Sequence, residues 1–573
     1  MSWQDNYQVW QNNSEIDPAL KQELTQMVAN QAELEEAFYA PLEFGTAGMR
    51  GLMGPGINRM NIYTVRQAAE GLALFMDTLP LEQKQRGVVI SFDSRYHSED
   101  FAQQAARVLG QHQIPVFLFD SLRPTPELSF AVRHLNTYAG IMITASHNPA
   151  PYNGFKIYGP DGGQMPPQES NLITNFVRQV TDLFAIEVTT LHQMRQQHLL
   201  QLIGEDVDQA YLREIKAVSL DEELLHEYSD LKFVYTPLHG TGKMLASRVF
   251  EQAGLSNMRI VAEQAILDPE FATVEFPNPE FPETFDLAIK QGSAISADVL
   301  IATDPDADRL GAAVRQPDGQ YQLMSGNQIA CVLLNYILST RQRQNKLPAN
   351  GAVVKSIVST ELASKIAQSY GVEMINVLTG FKFIAEQIQS FEETGEHEFL
   401  FGFEESYGYL IKPFVRDKDA LQASLLLAEV AAYYRSRAMT LYDGLQEIYA
   451  EYGYFEEKTI SKTFVGINGT QQMQNLMDSF RKQAPKMIGD TAVVSVQDFQ
   501  SGVQTEQDGS QINLGLPKAN VLKFILADGT WIAVRPSGTE PKIKNYIGVD
   551  ATTAKEAAAK IADYEQVIQN WYK

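Results

Sequence analysis

The stretch DVLIATDPDADR (residues 298–309) indicates the fold class, because an apolar run from Val299 to Ala302 leads directly into a polar loop. Short apolar runs bounded by turn-forming residues are typical of strands buried on both faces. Helical patterns such as Phe101–Gly110 alternate with runs of this kind. The further runs lie at residues 87–92, 116–119, 139–144, 232–235, 352–355 and 399–402. Alternating strands and helices indicate βαβ units, so the sequence predicts α/β domains with mixed or mostly parallel sheets.

The two ends of the chain have different patterns. Residues 3–40 are polar with apolar side chains at helical spacing, which predicts a helical N-terminal arm. Near the other end, Asp528-Gly529 separates two strand-like runs and predicts a tight hairpin. A third run at 542–549 and an Ala-rich helix from Thr553 complete a predicted α+β domain. We therefore predict four domains, at residues 1–205, 206–325, 326–455 and 456–573.

Composition narrows the possible partners. The 573 residues carry a formal net charge of −24, and no basic face of the kind that binds nucleic acid is visible. Cys331 is the only cysteine, so no intramolecular disulfide can form, which suits a reducing cytoplasm. The first residues lack the pattern of a secretory signal, and the apolar segment at 420–434 is too short for a membrane helix. We expect a cytoplasmic protein with small-molecule partners, no nucleic acid and no membrane, as a monomer or a homodimer.

Three carboxylates alternate in the loop that follows Val299–Ala302. Asp304, Asp306 and Asp308 can converge on one hard cation, and their mutual repulsion favours such a cation. A calcium-binding EF-hand loop needs Gly and Glu where this chain has Arg309 and Arg315. Mg²⁺ is favoured over Ca²⁺, since few protein ligands are offered. The alternative interpretation is a solvated acidic turn.

A serine follows another predicted strand, in TASHNP (144–149). Ser146 could be a nucleophile or a carrier of a phosphoryl group, with His147 and Lys156 in the same loop as proton-transfer candidates. The alternative is that serine and asparagine cap a turn, as they commonly do. These residues alone leave both interpretations open.

Two later loops have the composition of binding sites. RPSGTEPK (535–542) combines the guanidinium of Arg535, which can donate two parallel hydrogen bonds, with two hydroxyls and a glycine. This set of groups suits the binding of a phosphate monoester. FEESYGY (403–409) offers carboxylate and hydroxyl groups of the kind that bind sugar hydroxyls. A plain turn and a charged surface turn are the respective alternatives.

Three other motifs fail on spacing. HGTGK (239–243) would need glycine at 237 and serine or threonine at 244 to be a Walker A loop, but Pro237 and Met244 stand there. Leu245 likewise excludes a dinucleotide fingerprint starting at Gly240. His397-Glu398 lacks the second histidine of a zinc protease motif.

Taken in order, the four loops resemble the α-D-phosphohexomutase superfamily, and in particular its phosphoglucomutase/phosphomannomutase branch, which includes phosphopentomutase-like enzymes. The resemblance runs from FGTAGMRG (44–51) to Lys544 and depends on TASHNP, DPDADR, FEESYGY and RPSGTEP. It implies three α/β domains and a C-terminal α+β domain, each contributing one loop to a central cleft.

The resemblance also implies roles for individual residues. Ser146 matches the serine that is phosphorylated in the resting enzyme, and its phosphate would join the three aspartates around Mg²⁺. The implied catalytic or phosphate-orienting residues are Arg50, His147, Lys156, Arg309 and Lys418. The implied sugar-binding residues are Thr379, Gly380 and Lys382 in one loop, with Glu404 and Ser406 in another. The implied cradle for the non-reacting phosphate is Arg535, Ser537, Gly538 and Thr539.

The implied activity is interconversion of glucose 1-phosphate and glucose 6-phosphate through a phosphoserine, with glucose 1,6-bisphosphate as intermediate and activator. A phosphopentomutase or phosphomannomutase would use the same residues. A bisphosphate synthase, a phosphatase and a non-catalytic relative are further alternatives.

Overall fold

The computed structural model describes residues 2–44, 48–464, 469–537 and 542–572. Gly538 and Thr539 of the predicted phosphate cradle lie outside these residues, as does part of FGTAGMRG. The chain forms two compact units. The first unit comprises residues 1–325, 385–395 and 407–440, and the second comprises 326–384, 396–406 and 441–573. No helix within the described ranges is both long and apolar enough to span a membrane.

The first unit begins with the predicted helical arm and a six-stranded sheet. The arm packs Trp10 against Phe38 and Tyr63, so its apolar face is buried. The sheet has the strand order β1-β5-β4-β2-β3-β6. The elements are α1 (Trp3–Asn12), α2 (Pro18–Met27), α3 (Gln31–Phe38), β1 (Met49–Leu52), α4 (Ile62–Asp77), α5 (Leu81–Gln85), β2 (Val88–Phe92), α6 (Ser98–Gln111), β3 (Val116–Phe119), α7 (Thr125–His134), β4 (Ala139–Ile143), β5 (Tyr152–Tyr158), α8 (Pro167–Gln179), α9 (Leu191–Gln196) and β6 (Leu200–Ile203).

Strand direction in this sheet determines where its polar loops lie. Strand β2 pairs in parallel with β3 and β4, and β3 pairs in parallel with β6. Strand β5 pairs antiparallel with both β4 and β1. The residues after Phe92 and after Ile143 therefore leave the sheet at the same edge. In open α/β sheets, ligands bind at that edge, beyond the carboxyl ends of the strands.

The second sheet of the first unit has five strands in the order β11-β10-β9-β7-β8. Strand β7 pairs in parallel with β8 and β9, and β10 runs antiparallel to β9. Its elements are α10 (Glu205–Lys216), α11 (Glu222–Glu227), β7 (Phe233–Thr236), α12 (Gly242–Gln252), β8 (Met258–Ile260), α13 (Asp286–Ile295), β9 (Val299–Thr303), β10 (Leu310–Arg315) and β11 (Tyr321–Met324). The acidic loop joins β9 to β10, so it lies at the carboxyl end of a fully buried strand.

In the second unit, β12 pairs in parallel with β13 and with β14. The elements of this part of the chain are α14 (Gly326–Arg343), β12 (Gly351–Ser356), α15 (Leu362–Ser369), β13 (Glu373–Val377), α16 (Phe381–Thr394), β14 (Glu398–Glu404), β15 (Gly408–Leu410), α17 (Ala420–Ser436) and α18 (Leu441–Tyr452). Strand β15, helix α17 and residues 385–394 of α16 belong to the first unit. Helix α17 covers the apolar segment that begins at Ala420, and nearly all its side chains are buried.

The C-terminal part of the second unit is an antiparallel sheet in the order β16-β23-β22-β21-β18-β19-β20, with β17 paired to β18. Its elements are β16 (Tyr454–Thr463), α19 (Gly469–Lys482), β17 (Met487–Ile488), β18 (Thr491–Asp498), β19 (Val503–Glu506), β20 (Gln511–Asn513), β21 (Leu522–Leu526), β22 (Trp531–Pro536), β23 (Lys542–Ala551) and α20 (Ala554–Asn570). The predicted hairpin is present as β21 and β22. The predicted fold class is confirmed, while the limits of the four predicted domains stay a prediction.

Candidate active site

The loop after β4 holds Ser146 in an unusual backbone conformation. Ser146 has φ 50°, in the left-handed region that costs a non-glycine residue about 1–3 kcal/mol. Its N–H donates to Thr144 Oγ1 at 2.8 Å, and Arg95 donates to its carbonyl oxygen at 2.6 Å. The side chain is 4% exposed. The surrounding structure therefore fixes the direction of this hydroxyl.

The Ser146 hydroxyl points at the acidic loop. Its Oγ donates to Asp304 Oδ2 at 2.6 Å and lies 3.2 Å from His147 Nδ1. Burial, followed by the positive charges of Arg309 and Arg50, lowers the pKa of His147 well below its ordinary value. His147 is therefore neutral at pH 7, which leaves one ring nitrogen able to accept a hydrogen bond.

The acidic loop brings its three carboxylates together. Oxygen atoms of Asp304, Asp306 and Asp308 lie within 4.8 Å of one another, and all three side chains are buried. Burial, and then repulsion from its two neighbours, raises the pKa of Asp304 well above its ordinary value. Burial would also raise the pKa of Asp306, but the ammonium group of Lys156 lowers it overall.

The loop is suited to a hard divalent cation. Asp306 Oδ1 and Asp308 Oδ1 are buried and accept no hydrogen bond from the described residues. Carboxylate oxygens are the ligands that Mg²⁺ prefers, and buried, unbonded carboxylate oxygens are costly without a partner. The donor set and its two unbonded oxygens therefore fit a Mg²⁺ site, with Ser146 adjacent.

Basic side chains surround the carboxylates. Lys156 Nζ lies 3.0 Å from Asp306 Oδ2, and Lys418 Nζ lies 3.0 Å from Asp308 Oδ2. Arg309 donates to Glu280 at 2.6 Å, and its Nε lies 3.9 Å from Asp308 Oδ1. These three cations can neutralise an incoming phosphate as well as the carboxylates.

Arg50 lies on β1 and donates to Asn148 Oδ1 at 2.7 Å, which ties it to the serine loop. The expectation that Lys156 shares the loop of Ser146 is wrong. Lys156 lies on β5, the antiparallel neighbour of β4, and pairs with Met142. That register brings Lys156 to the acidic loop from the sheet itself.

The second unit holds the predicted sugar and phosphate residues. Glu404 is the last residue of β14 rather than a loop residue, and it accepts a hydrogen bond from Gly380 N at 2.7 Å. Gly380 has φ 120°, which only glycine adopts readily, so this contact depends on Gly380. Thr379 is half-buried beside it, while Lys382 is in the first turn of α16 rather than in a loop, with Nζ over the Phe383 ring.

The paired glutamates have different surroundings. Glu405 accepts a hydrogen bond from Ser356 at 2.8 Å, so this carboxylate fixes its own loop. Ser406, the next residue, is half-buried.

Arg535 lies on strand β22 rather than in the loop after it, and it is half-buried. Ser537 N donates to the carbonyl of Lys542 at 2.7 Å, which closes the base of that loop.

The sequence analysis missed residues that shape the serine loop from behind. Arg95 donates to the carbonyl oxygens of Ser146, Asn148, Pro149 and Tyr152. Its Nε lies 3.3 Å from Asp93 Oδ2, and both side chains are fully buried. The signal that the sequence offered for this support is the pair of charged residues, Asp93 and Arg95, directly after the buried strand β2.

Comparison with known proteins agrees with this geometry. Family models for phosphoglucomutase/phosphomannomutase match most of the chain. The alpha/beta/alpha domains I, II and III match residues 41–183, 209–319 and 325–452, and the C-terminal domain matches residues 483–564. The phosphoglucomutase of Staphylococcus epidermidis (strain RP62A) is 40% identical over 93% of this chain and 95% of its own. That of Staphylococcus haemolyticus is 38% identical over 92% of this chain and 94% of its own.

Solved structures show the same fold. The parafusin (phosphoglucomutase) of Paramecium, in an open form, has a TM-score of 0.67 at 19% identity, covering 92% of this chain and 95% of that one. A phosphoglucomutase/phosphomannomutase family protein from Burkholderia thailandensis has a TM-score of 0.63 at 18% identity, covering 92% and 97%. The fold and the serine–aspartate site define a phosphohexomutase, an isomerase. The chain belongs to the phosphoglucomutase/phosphomannomutase family.

Proposed function

We propose that this protein is a cytoplasmic phosphoglucomutase that interconverts glucose 1-phosphate and glucose 6-phosphate. The observation that carries the proposal is the 2.6 Å hydrogen bond from Ser146 Oγ to Asp304 within a buried aspartate triplet. The named activity of the staphylococcal relatives supports the same reaction. Its partners are then sugar phosphates, with glucose 1,6-bisphosphate as intermediate and activator.

In the proposed reaction, the free hydroxyl of a sugar monophosphate attacks the phosphorus of phosphorylated Ser146. A P–O bond to the sugar forms, and the P–O bond to Ser146 Oγ breaks. The sugar hydroxyl gives up its proton, and Ser146 Oγ receives one. Neutral His147 is positioned to exchange the proton of that oxygen. The bisphosphate then reorients and returns its other phosphoryl group to Ser146.

The basic residues supply charge rather than bonds in this scheme. Asp304, Asp306 and Asp308 would hold Mg²⁺, which when bound neutralises charge on the transferring oxygens. Lys156, Lys418 and Arg309 orient those oxygens. Because both carboxylates facing the lysines are buried, this charge acts in a water-poor site where it has more effect.

We assign the sugar and the non-reacting phosphate to the second unit. Glu404 and Ser406 bind sugar hydroxyls, with Thr379, Gly380 and Lys382 beside them. Arg535 and Ser537, together with Gly538 and Thr539, bind the phosphate that is not transferred. The fork of Arg535 suits a phosphate monoester in either orientation of the sugar.

The variant Ser146→Ala tests the carrier role. It removes the oxygen that accepts the phosphoryl group, so mutase turnover in a coupled glucose 6-phosphate assay should fall by about 10³-fold or more. Thr137→Ala is a matched control, since it also removes a buried hydroxyl of the first unit, one that donates to the Ala139 carbonyl at 3.1 Å. Near-normal turnover of Ser146→Ala would refute the proposal.

Substrate assays separate the alternatives. Mannose and ribose phosphates, assayed individually, distinguish a phosphomannomutase or a phosphopentomutase from a phosphoglucomutase. Accumulation of the bisphosphate would indicate a synthase. Release of inorganic phosphate without isomerisation would indicate a phosphatase.

A further inference from the structure

Three successive carbonyl oxygens of the acidic loop accept hydrogen bonds from the starts of three helices. Thr241 N, at the N-cap of α12, donates to Pro305 O at 2.7 Å. Thr125 N, at the first residue of α7, donates to Asp306 O at 2.9 Å. Ala420 N, at the first residue of α17, donates to Ala307 O at 3.3 Å.

The backbone amides at a helix start have no partner within the helix, and that end of the helix carries partial positive charge. The acidic loop satisfies one such amide from each helix. In return, the partial positive charges lie beside three crowded carboxylates, where they offset part of the repulsion. The loop is therefore held on three sides before any cation binds.

Two threonine side chains strengthen the arrangement. Thr241 Oγ1 donates a second hydrogen bond to Pro305 O, at 2.9 Å. Thr125 Oγ1 donates to the carboxylate of Asp306 at 2.8 Å. Both threonines are buried, with at most 2% of the residue exposed. Among the described residues, both hydrogen bonds from Thr241 to the loop end on this one backbone oxygen, so Thr241 acts on the carboxylates through the position of the loop.

The close approach of α12 requires glycine at position 240. A Cβ atom added to Gly240 would lie 2.2 Å from Pro305 Cα and 2.3 Å from Pro305 O. The motif HGTG (239–242), which fits no phosphate-binding pattern, is thus explained as the segment that lets a helix start pack on the acidic loop.

We infer that Thr241 and Thr125, with Gly240, are positioning residues that fix the acidic loop in the conformation that binds a divalent cation. The inference rests on the proposed function only in taking the triplet to be a cation site. A loop that is already ordered loses less conformational entropy on binding, so cation affinity should depend on these contacts.

The test measures Mn²⁺ binding to the unphosphorylated full chain by electron paramagnetic resonance, without substrate. Thr241→Val keeps the branched shape and removes the hydroxyl, and we expect Mn²⁺ binding to weaken about three- to tenfold. Thr241→Ser restores the hydroxyl and should bind Mn²⁺ within about twofold of the unmodified protein. Gly240→Ala should weaken binding by more than Thr241→Val.

A matched control separates loop position from general destabilisation. A Cβ atom at Gly292, in α13 behind the same sheet, would lie 2.6 Å from a Leu300 methyl group. Gly292→Ala should lower the melting temperature and leave Mn²⁺ affinity unchanged. If Thr241→Val does not fold, Thr241→Ala and Thr241→Ser supply the same comparison.

Each outcome has a separate meaning. Unchanged Mn²⁺ affinity in folded Thr241→Val and Gly240→Ala overturns the positioning inference. Equal losses of Mn²⁺ affinity in Gly292→Ala and Thr241→Val also overturn it, because the affinity would then depend on general stability and not on the position of the loop. Absence of Mn²⁺ binding by the unmodified protein instead refutes the cation site of the proposed function.

Discussion

Replacing Arg95 by methionine should destabilise the first unit and displace the serine loop. The guanidinium of Arg95 is the shared donor for four carbonyl oxygens of that loop, and it pairs with buried Asp93. Methionine keeps much of the side-chain volume but removes every one of these donors. The loop then loses the contact that holds the carbonyl of Ser146.

The size of the effect follows from the burial of the pair. Removing one partner of a buried ion pair costs about 3–5 kcal/mol, because the other charge is left without compensation. Burial already raises the pKa of Asp93 despite the attraction of Arg95. Without Arg95 this carboxyl takes up a proton, which limits the cost. We therefore expect a loss of about 3 kcal/mol in the free energy of unfolding.

The pH dependence of the loss has a definite sign. In Arg95→Met, the folded-state pKa of Asp93 lies above its unfolded-state value, so the protonated form favours folding. That contribution is present at low pH and is lost as pH rises through the folded-state pKa. The stability deficit of the variant should accordingly be larger at about pH 8 than at about pH 5.

The assay is urea unfolding of the unmodified protein, Arg95→Met, Asp93→Asn and the double variant, at both pH values. Asp93→Asn removes the acid that Arg95→Met leaves unpaired. The double variant should therefore lose less free energy of unfolding than the sum of the two single variants, by about 1 kcal/mol or more. Arg107→Met is the control, because Arg107 donates to the carbonyl of Thr189 and to Gln104 and has no carboxylate partner among the described residues. A loss below about 1 kcal/mol in Arg95→Met, or strict additivity, would refute the reasoning.

Three further predictions concern separate sites. Hydrogen bonds to Glu70 and then Asp77 raise the pKa of His112, so the charged ring stabilises the fold at low pH. In urea unfolding, His112→Gln should lose about 0.5–1 kcal/mol near pH 5.5 and almost nothing near pH 9, and an equal loss at both pH values would contradict this. Arg535→Ala should raise KM for glucose 1-phosphate more than it lowers kcat in steady-state kinetics, and an unchanged KM would place the phosphate cradle elsewhere. Asp304→Asn should weaken Mn²⁺ binding at least tenfold in the resonance titration, whereas retained affinity would exclude Asp304 as a ligand.

Much of the fold could be predicted because its parallel strands are short apolar runs bounded by turns. Val116–Phe119 was predicted at its observed limits, and the hairpin followed from Asp528-Gly529. Strand β5 was missed, since Tyr152–Tyr158 contains asparagine, glycine and lysine and lacks an apolar run. It is nonetheless almost wholly buried, because it lies in the interior of the sheet.

The residues of the site were easier to identify than their supports. Ser146 and the three aspartates are in compact motifs, whose chemistry can be inferred from spacing. Arg95, Thr241 and the backbone N–H of Thr125 donate to backbone carbonyls that lie far away in sequence, and a hydrogen bond to a carbonyl leaves no pattern in the partner's side chains. Such contacts follow only from the topology that joins the strand ends.

Phosphorylation of Ser146 is the central claim, and intact-mass measurement tests it most directly. The intact mass of the purified chain is measured after incubation with glucose 1,6-bisphosphate and again after addition of excess glucose 1-phosphate. The modified peptide is then sequenced. We expect a gain of a single phosphoryl group on Ser146 and its transfer to the added sugar phosphate. Isomerisation by a chain that never carries phosphate on Ser146 would contradict it.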